Sequence, residues 1–522
     1  MRFEGVVGLH DSTQLELKLA YSLEGNTDLR YRVESYWFIP SSLGVNRQTY
    51  SASNFRRDLQ GYMRFRAPDL PFKRLANAAT SGSLLSLLRE GVKRSQETGD
   101  TSELNRDLRM YGSLVRVRVR ARSERAIRSV ERAIEREEPL TEKALPRCYK
   151  LLARAGEVNS EWRQFKAELS DSGLPATLLQ TAANVDEYIS LVMEEQAVRL
   201  LALLDKPRTK TVSVDDVAEV RGNVVSFVQS ERAYRKATGY STVLDSEGTE
   251  DEHYLYRRGV LKKFVASALW LDVVKKKSTE RKADMAAAIA AGVAMVVALV
   301  LTIVSAQYYM INTLGFVVAA TITYMLKDRT KDWLKRFFAA RISSSPVTAI
   351  VEPDTGRQIA TSRESAKYIG LSSLPEQVRS LRARGPDAQT RAQAVPEVVL
   401  RYEKQVQIAK NAASTDLVGA SQLTDIIRVG IRKFLARVDD PISTIQVYNA
   451  ETDEVELREF PKVYHLNIVV LLHSDGTGRE PSAKRLRIVF DKTGILRLED
   501  IAVSSESPIR VTERTHFGPV TV

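Results

Sequence analysis

Hydrophobic and polar residues alternate near both ends of the chain and recur with a longer period in between. Leu15, Leu17 and Leu19 occupy every second position, and residues 2–9 and 29–33 alternate in the same way, which predicts three strands before Pro40. From about residue 83 to residue 240, apolar residues recur every three or four positions, as in amphipathic helices. The pattern therefore predicts strands followed by a helical region.

The stretch 101–138 fits two interpretations. Val115–Arg120 alternates strictly between valine and arginine, which is typical of a strand. Over the wider window Leu104, Leu108 and Tyr111 keep a helical spacing, and no proline interrupts it. We predict one helix and retain a strand within it as the alternative.

Helices and then strands are predicted in the last part of the chain. Val399, Tyr402 and Val406 follow Pro396 at helical spacing, and a second helix is predicted over 423–436. Five strands should come next: Thr444–Tyr448, Glu454–Glu459, Val463–His473, Arg485–Asp491 and Ile495–Ile501. The predicted core face of the third and fourth strands comprises Leu466, Ile468, Val470, Leu472, Ile488 and Phe490.

One stretch, from Met285 to Leu326, contains no Asp, Glu, Lys, Arg or His. A helix crosses a bilayer with about 20 apolar residues, and this run is long enough for two crossings. Its only polar break is 305–313. We predict two transmembrane helices, near 285–304 and 309–326, that form a hairpin. The alternative is a helix pair buried in a soluble core.

Basic residues stand on both sides of this run, and the predicted turn between the spans has none. We predict that ten of them contact the membrane surface: Lys275, Lys276, Lys277, Arg281, Lys282, Lys327, Arg329, Lys331, Lys335 and Arg336. By the positive-inside rule both flanks, and both termini, are then cytoplasmic. The expected location is a bacterial inner membrane. The amphipathic stretches 254–274 and 333–341 should lie at the headgroups or, as the alternative, pack on soluble parts of the chain.

Small residues recur every four positions in both predicted spans. The set comprises Ala286, Ala290, Ala294 and Ala298 in the first span and Gly315, Ala319 and Thr323 in the second. Lipid provides no hydrophobic drive for helix association, so small residues that let backbones approach are favoured contacts. We predict that the two stripes face each other within one hairpin, with a contact to another copy of the chain as the rival interpretation.

These patterns together predict an α+β fold with a central two-helix transmembrane hairpin. An N-terminal β-rich segment and a helical bundle precede the hairpin, and helices followed by a mostly antiparallel β-sheet come after it. The predicted sections are a β-rich segment with helical cover (1–80), a cytoplasmic helical domain (81–250), amphipathic and transmembrane helices (251–341), a connector (342–395) and a cytoplasmic α+β domain (396–522).

Composition adds limits on the chemistry. Cys148 is the only cysteine among 522 residues, which excludes disulfide frameworks and thiolate metal clusters and fits a reducing compartment. No phosphate-binding loop, zinc-protease motif, nucleophile elbow or kinase signature occurs. His465 and His473 share one strand face but lie about 26 Å apart, too far for one metal. The sequence thus predicts no catalytic residue, cofactor or metal.

The net charge of +12 is compatible with an anionic membrane surface or with nucleic acid. Arginines mix with aromatic residues in Asn54–Arg74, and 116–132 is rich in arginine, so single-stranded nucleic acid is a possible but not favoured partner. The favoured function is a membrane-anchored interaction or scaffold protein with a protein partner or as a homo-oligomer. An oligomeric pore and an enzyme without a recognisable motif are the alternatives.

Overall fold

The computed structural model describes most of the chain. The described residues are 3–23, 29–76, 82–135, 144–205, 214–243, 251–275, 278–308, 310, 313–341, 347–383, 396–409, 422–451, 453–474, 481–501 and 509–511. The fold they form is mixed α+β, with helices and a large, mostly antiparallel sheet.

Twelve helices lie within the described residues. They are α1 (Ala52–Asp58), α2 (Phe72–Ala76), α3 (Leu84–Thr98), α4 (Ser102–Glu135), α5 (Ala144–Ser170), α6 (Ala176–Leu204), α7 (Val214–Thr238), α8 (Asp251–Ala266), α9 (Ser278–Tyr308), α10 (Leu314–Arg341), α11 (Glu376–Ala383) and α12 (Arg432–Leu435). The prediction of one helix over 101–138 is confirmed, because α4 runs without a break through the valine–arginine alternation.

Fifteen strands lie in the same described part. They are β1 (Phe3–Asp11), β2 (Gln14–Ser22), β3 (Leu29–Pro40), β4 (Leu59–Arg66), β5 (Trp270–Lys275), β6 (Val347–Val351), β7 (Gln358–Ile369), β8 (Glu397–Ile408), β9 (Gln422–Gly430), β10 (Ile442–Asn449), β11 (Glu454–Pro461), β12 (Tyr464–Ser474), β13 (Ser482–Asp491), β14 (Gly494–Ile501) and β15 (Ile509–Val511).

Thirteen of these strands form one sheet in the order β14-β13-β12-β3-β8-β7-β6-β5-β4-β9-β2-β1-β15. All neighbours are antiparallel except β1 and β15. The sheet curls, because Leu17 of β2 and Leu486 of β13 line the same small internal cavity of about 30 Å³. The backbone N–H of Ile495 also donates to Ser12 O at 2.6 Å, close to the opposite end of the sheet. The apolar inner face is thereby enclosed.

Strands from the beginning and the end of the chain alternate in this sheet. β2 pairs with β9, with Leu19 opposite Asp425, and β3 lies between β8 and β12. Sections 1–80 and 396–522 therefore contribute strands to one sheet. Their exact boundaries remain a prediction. β6 and β7, from the predicted connector 342–395, belong to it as well, and residues 384–395 of that connector lie outside the described residues.

Helices α3 to α8 pack beside the sheet around α4 and α6. Tyr111 of α4 stacks on Trp162 of α5 with ring centroids 4.8 Å apart, and both side chains are fully buried. Leu261 and Val265 of α8 are buried in the same apolar core. The amphipathic face of 254–274 thus packs against the rest of the fold, and this stretch ends as strand β5 rather than as a helix at the headgroups.

The two helices predicted over 396–436 are wrong, because these residues form β8, β9 and the short α12. Residues at every second position of β8 are buried, including Lys404, which forms an ion pair with Asp425 of β9 at 2.7 Å. A charged residue on the inner face conceals the alternation that marks a strand. Likewise, Asn54–Arg74, in the section predicted to be a β-rich segment with helical cover, contains strand β4.

The predictions for the last strands are confirmed. β10 to β14 lie where alternation indicates them, and Leu466, Ile468, Val470, Leu472, Ile488 and Phe490 are all buried in the core. β12 is covered on its other face too, since Val469 and Leu471 pack with Val378 and Leu381 of α11. β10 and β11 form a separate two-stranded sheet.

Candidate functional site

The chain leaves the large sheet at the end of β5 and returns to it at the start of β6. These two strands are antiparallel neighbours, with Lys275 opposite Thr348 and Asp272 opposite Val351. Within the described residues, the elements between them are the helices α9 and α10, which pack against each other. The helix pair is therefore an insertion within one β-hairpin.

The outward surface of the helix pair is apolar and exposed. Val296 and Val300 of α9 are 63% and 52% exposed, and Ile322 and Met325 of α10 are 57% and 64% exposed. Only 11% of the most apolar window of α9 is buried. Apolar side chains exposed along a whole helix indicate contact with lipid or another apolar surface.

Within the described residues, one helix has the length and composition of a membrane span, the 22 residues Ala287–Tyr308 of α9. The predicted second span is not supported in the same way. α10 begins at Leu314 and has its first charge at Lys327, so its apolar part is only about 20 Å long against about 30 Å of hydrocarbon. Lys327 and the charged residues that follow it make α10 less apolar than the 22-residue stretch of α9.

The small residues that were predicted to pack the two helices together differ in burial. Ala290, Ala294 and Ala298 are buried, and Thr323 is the buried position among the described side chains of α10. Gly315 and Ala319 are half-buried, and the side chain of Ala286 lies outside the described residues. Their role in packing within a membrane stays a prediction.

The predicted membrane-surface residues flank the helix pair. Lys327 lies over the ring of Tyr324 at 4.5 Å, and Arg329, Lys331, Lys335 and Arg336 are exposed on α10. On the other side, Lys275 ends β5, and Arg281 and Lys282 belong to the first turns of α9, but their side chains are outside the described part, as are Lys276 and Lys277. Contact with a membrane stays a prediction for all ten.

Two ion pairs connect the turn after β6 to helix α4. Arg106 pairs with Glu352 at 3.1 Å with both side chains buried, and Arg109 pairs with Asp354 at 2.6 Å. Burial would raise the pKa of Glu352, but hydrogen bonds from Arg357 and Thr355 and the charge of Arg106 outweigh it and hold that pKa below its ordinary value. The strand that follows the helix pair is thus fastened to the helical part of the fold.

A second candidate site is a groove on the helical part, here called the arginine groove. It has a volume of about 620 Å³ and lies between α2, α4 and α5. Nine basic residues line it: Lys73, Arg118, Arg122, Arg125, Arg128, Arg132, Arg147, Lys150 and Arg154. Its other lining residues, Pro71, Phe72, Ala126 and Leu151, carry no charge.

The charge of the arginine groove is only partly compensated. Asp69, at its edge, pairs with Arg118 at 3.0 Å and with Arg125 at 3.8 Å. The Nε atoms of Arg118 and Arg122 are buried without a hydrogen-bond acceptor in the described structure. Burial and the charges of Arg118 and Arg125 lower the pKa of Arg122. The groove is therefore a concentrated positive potential next to buried donors.

The sequence contains a signal for this groove in the spacing of its arginines. Arg118, Arg122, Arg125 and Arg132 follow each other at spacings of four, three and seven, and therefore share one face of α4. Lys150 and Arg154 repeat the spacing on α5. The arginine-rich stretch was identified, but the meeting of three elements at one groove depends on tertiary structure.

Other charged residues in the helical part satisfy one another. Glu231 accepts hydrogen bonds from Asn159 at 2.9 Å and Ser190 at 2.7 Å, and Lys166 pairs with Asp186 at 2.6 Å. Both carboxylates, of Glu231 and Asp186, therefore have hydrogen-bonding partners within the fold. Among the described residues, no group of three or more His, Cys, Asp or Glu side chains could hold a metal ion.

Comparison with models of protein families, with curated proteins and with solved structures finds no match to this chain. The functional argument therefore depends on the geometry of these two sites.

Proposed function

We propose that this chain is a membrane-anchored interaction protein. Helices α9 and α10 enter the membrane as a hairpin, and the sheet and the other helices, here called the body, lie on one face of it. In this arrangement the anchor holds the body and its exposed surfaces next to the membrane.

The observation that carries this proposal is the pairing of β5 with β6. A chain that crossed the membrane once between Lys275 and Thr348 would put these paired residues on opposite sides. Their pairing requires an even number of crossings. The length and composition of α9 make a crossing favourable, and α10 is the element available for the return.

The short apolar part of α10 is compatible with this return. Lys327 follows it, and a lysine side chain can extend along a helix to the headgroups while its methylene groups stay in lipid. Trp333 is 64% exposed further along α10, and tryptophan favours the membrane–water interface. By the positive-inside rule, the basic residues on both flanks favour a cytoplasmic body.

A second observation favours the interaction part of the proposal. The hairpin β10–β11 pairs with no other strand among the described residues and has an exposed apolar face. Tyr448, Val455 and Leu457 on that face are 60%, 66% and 70% exposed. An isolated two-stranded hairpin is marginally stable in water, so an apolar partner would stabilise it.

The topology can be tested with reporter fusions in a bacterial inner membrane. We expect a reporter that is active only outside the cytoplasm to be inactive at the C-terminus and active when inserted after Met310, in the connection between α9 and α10. A cytoplasmic reporter should give the opposite result at both positions. A C-terminal fusion that is active outside the cytoplasm would contradict the hairpin.

A further inference from the structure

We propose that the arginine groove binds a compact ligand that carries two or more phosphate groups. This site is on the body and is separate from the anchor, so the proposal does not depend on the membrane topology.

The groove requires an anion of high charge. Nine cations line a volume of about 620 Å³; in the described structure Asp69 pairs with Arg118 and Arg125, and Glu157 pairs with Arg154, which leaves a large excess of positive charge. Like charges at this density repel one another, and walls of low dielectric constant strengthen the field between them. A ligand with several negative charges would remove this repulsion.

The side chains favour phosphate over other anions. Seven of the nine lining cations are arginines, and a guanidinium group presents a planar set of donors that matches phosphate oxygens in pairs. Arg118 is 6% exposed, lines the groove and has a buried Nε atom without an acceptor. A bound phosphate oxygen would supply an acceptor to the donors in this region.

The shape favours a compact ligand over a nucleic-acid strand. Strands bind along open basic surfaces on which exposed aromatic rings stack with successive bases. The one aromatic ring of this groove belongs to Phe72, which is buried and already lies 5.2 Å from the guanidinium of Arg118. A volume of this size is typical of a small-molecule site. The groove therefore offers phosphate contacts without a stacking surface.

Such a ligand could be a free polyphosphorylated molecule or the phosphorylated headgroup of a lipid. The groove chemistry is the same for both, because it recognises phosphate groups close together.

The test uses tripolyphosphate as the probe and the full chain held in nanodiscs of neutral lipid. Calorimetric titration should show saturable binding at least tenfold tighter than that of orthophosphate. Arg132→Gln combined with Lys150→Gln should weaken it at least tenfold, since both residues line the groove and are exposed enough for the chain to fold normally. Melting temperature provides the check on folding.

The matched control is Arg120→Gln combined with Lys93→Gln. It removes the same number of charges from the same helical region, but neither residue lines the groove, and Arg120 pairs with Glu124 at 2.9 Å instead. Affinity for tripolyphosphate should stay within twofold of the unchanged chain. An equal loss in the control and in the groove variant would overturn the proposal, as would the absence of binding to the unchanged chain.

Two further arms identify the source of the phosphate and the class of ligand. Capture of phosphatidylcholine vesicles containing a phosphatidylinositol bisphosphate, abolished by tripolyphosphate and by the groove variant, assigns a lipid headgroup. Tripolyphosphate binding without capture assigns a soluble ligand, and both results support the proposal. A single-stranded oligonucleotide that binds more tightly than tripolyphosphate, with the same dependence on Arg132 and Lys150, would overturn it in favour of nucleic acid.

Discussion

Lys404 and Asp425 form a buried ion pair on the inner face of the sheet. Their side chains are 3% and 0% exposed, and Tyr31 donates a hydrogen bond to Asp425 at 3.0 Å. Burial alone would lower the pKa of Lys404, but the carboxylates of Asp425 and Glu364 outweigh burial, and its pKa is above the ordinary value. Lys404 therefore stays charged in the folded chain at neutral pH.

Removal of one member of this pair should be costly. Lys404→Met leaves the buried Asp425 without its counter-charge, and we expect the free energy of unfolding to fall by about 3–5 kcal/mol. Because the pKa of Lys404 is raised on folding, its stabilising effect is present at neutral pH and is lost as pH rises through the folded pKa. Urea unfolding in mild detergent, followed by tryptophan fluorescence, measures both effects.

The double variant Lys404→Met with Asp425→Leu provides the matched control, because it removes both charges together. Its stability should be closer to that of the unchanged chain than the stability of the single variant. If Lys404→Met alone unfolds at the same urea concentration as the unchanged chain, the pair does not contribute as described.

The same two residues explain the main error of sequence interpretation. In β8 the inner face is Leu400, Tyr402, Lys404, Val406 and Ile408, and one lysine breaks the apolar alternation. Asp425 does the same in β9. A sequence pattern predicts that charged residues face water, and it contains no sign that two of them, far apart in the chain, neutralise each other in the core.

Among whole helices and strands, the predictions are correct where the apolar residues keep one spacing, of two for a strand or of three to four for a helix, along the whole element. β12 and β13 have unbroken apolar faces, and α4 keeps helical spacing over its whole length. The arginine groove was only half predictable, because its arginines are visible on α4 but its other side comes from α5 and from Phe72 and Lys73 of α2. Spacing identifies a face of one helix, and packing decides which faces meet.

The contact between α9 and α10 leads to a prediction at this scale. Ala298 and Thr323 are both buried, and each lies about three helical turns from the connection between the helices. On a background with Cys148→Ser, Ala298→Cys and Thr323→Cys should cross-link within one chain in membranes. Gel electrophoresis after treatment with a short bifunctional reagent detects the product.

Exposed positions give the control for this experiment. Val300→Cys with Met325→Cys should give little product within a chain, because both side chains point away from the helix contact and are 52% and 64% exposed. If Ala298→Cys alone forms dimers, and Ala298→Cys with Thr323→Cys gives no product within a chain, the small residues of α9 contact a second copy of the chain instead.

At the scale of the whole molecule, the helix pair is an insertion that the body does not need for its strand order. Lys275 and Thr348 are register partners, so a two-residue Asn-Gly turn can replace residues 276–347 and close a regular hairpin. We expect the shortened chain to stay in solution without detergent and to unfold cooperatively, because the exposed apolar surface of α9 and α10 is removed. Ultracentrifugation and thermal circular dichroism measure this.

The full chain, which should require detergent to stay dispersed, is the control for the shortened one. A shortened chain that aggregates or lacks a thermal transition would show that the helix pair is part of the core of the body. If it folds, its arginine groove should keep its affinity for tripolyphosphate, because α2, α4 and α5 are unchanged.

The alternation of early and late strands in the sheet has a consequence for synthesis of the chain on the ribosome. β2 and β4 emerge early, but their neighbour β9 is made only after helices α9 and α10 and most of the sequence. At about 5–20 residues per second, these strands wait on the order of half a minute for their partner. Their edges are open to other chains during that time, so we expect the nascent protein to be most prone to aggregation before β9 is made.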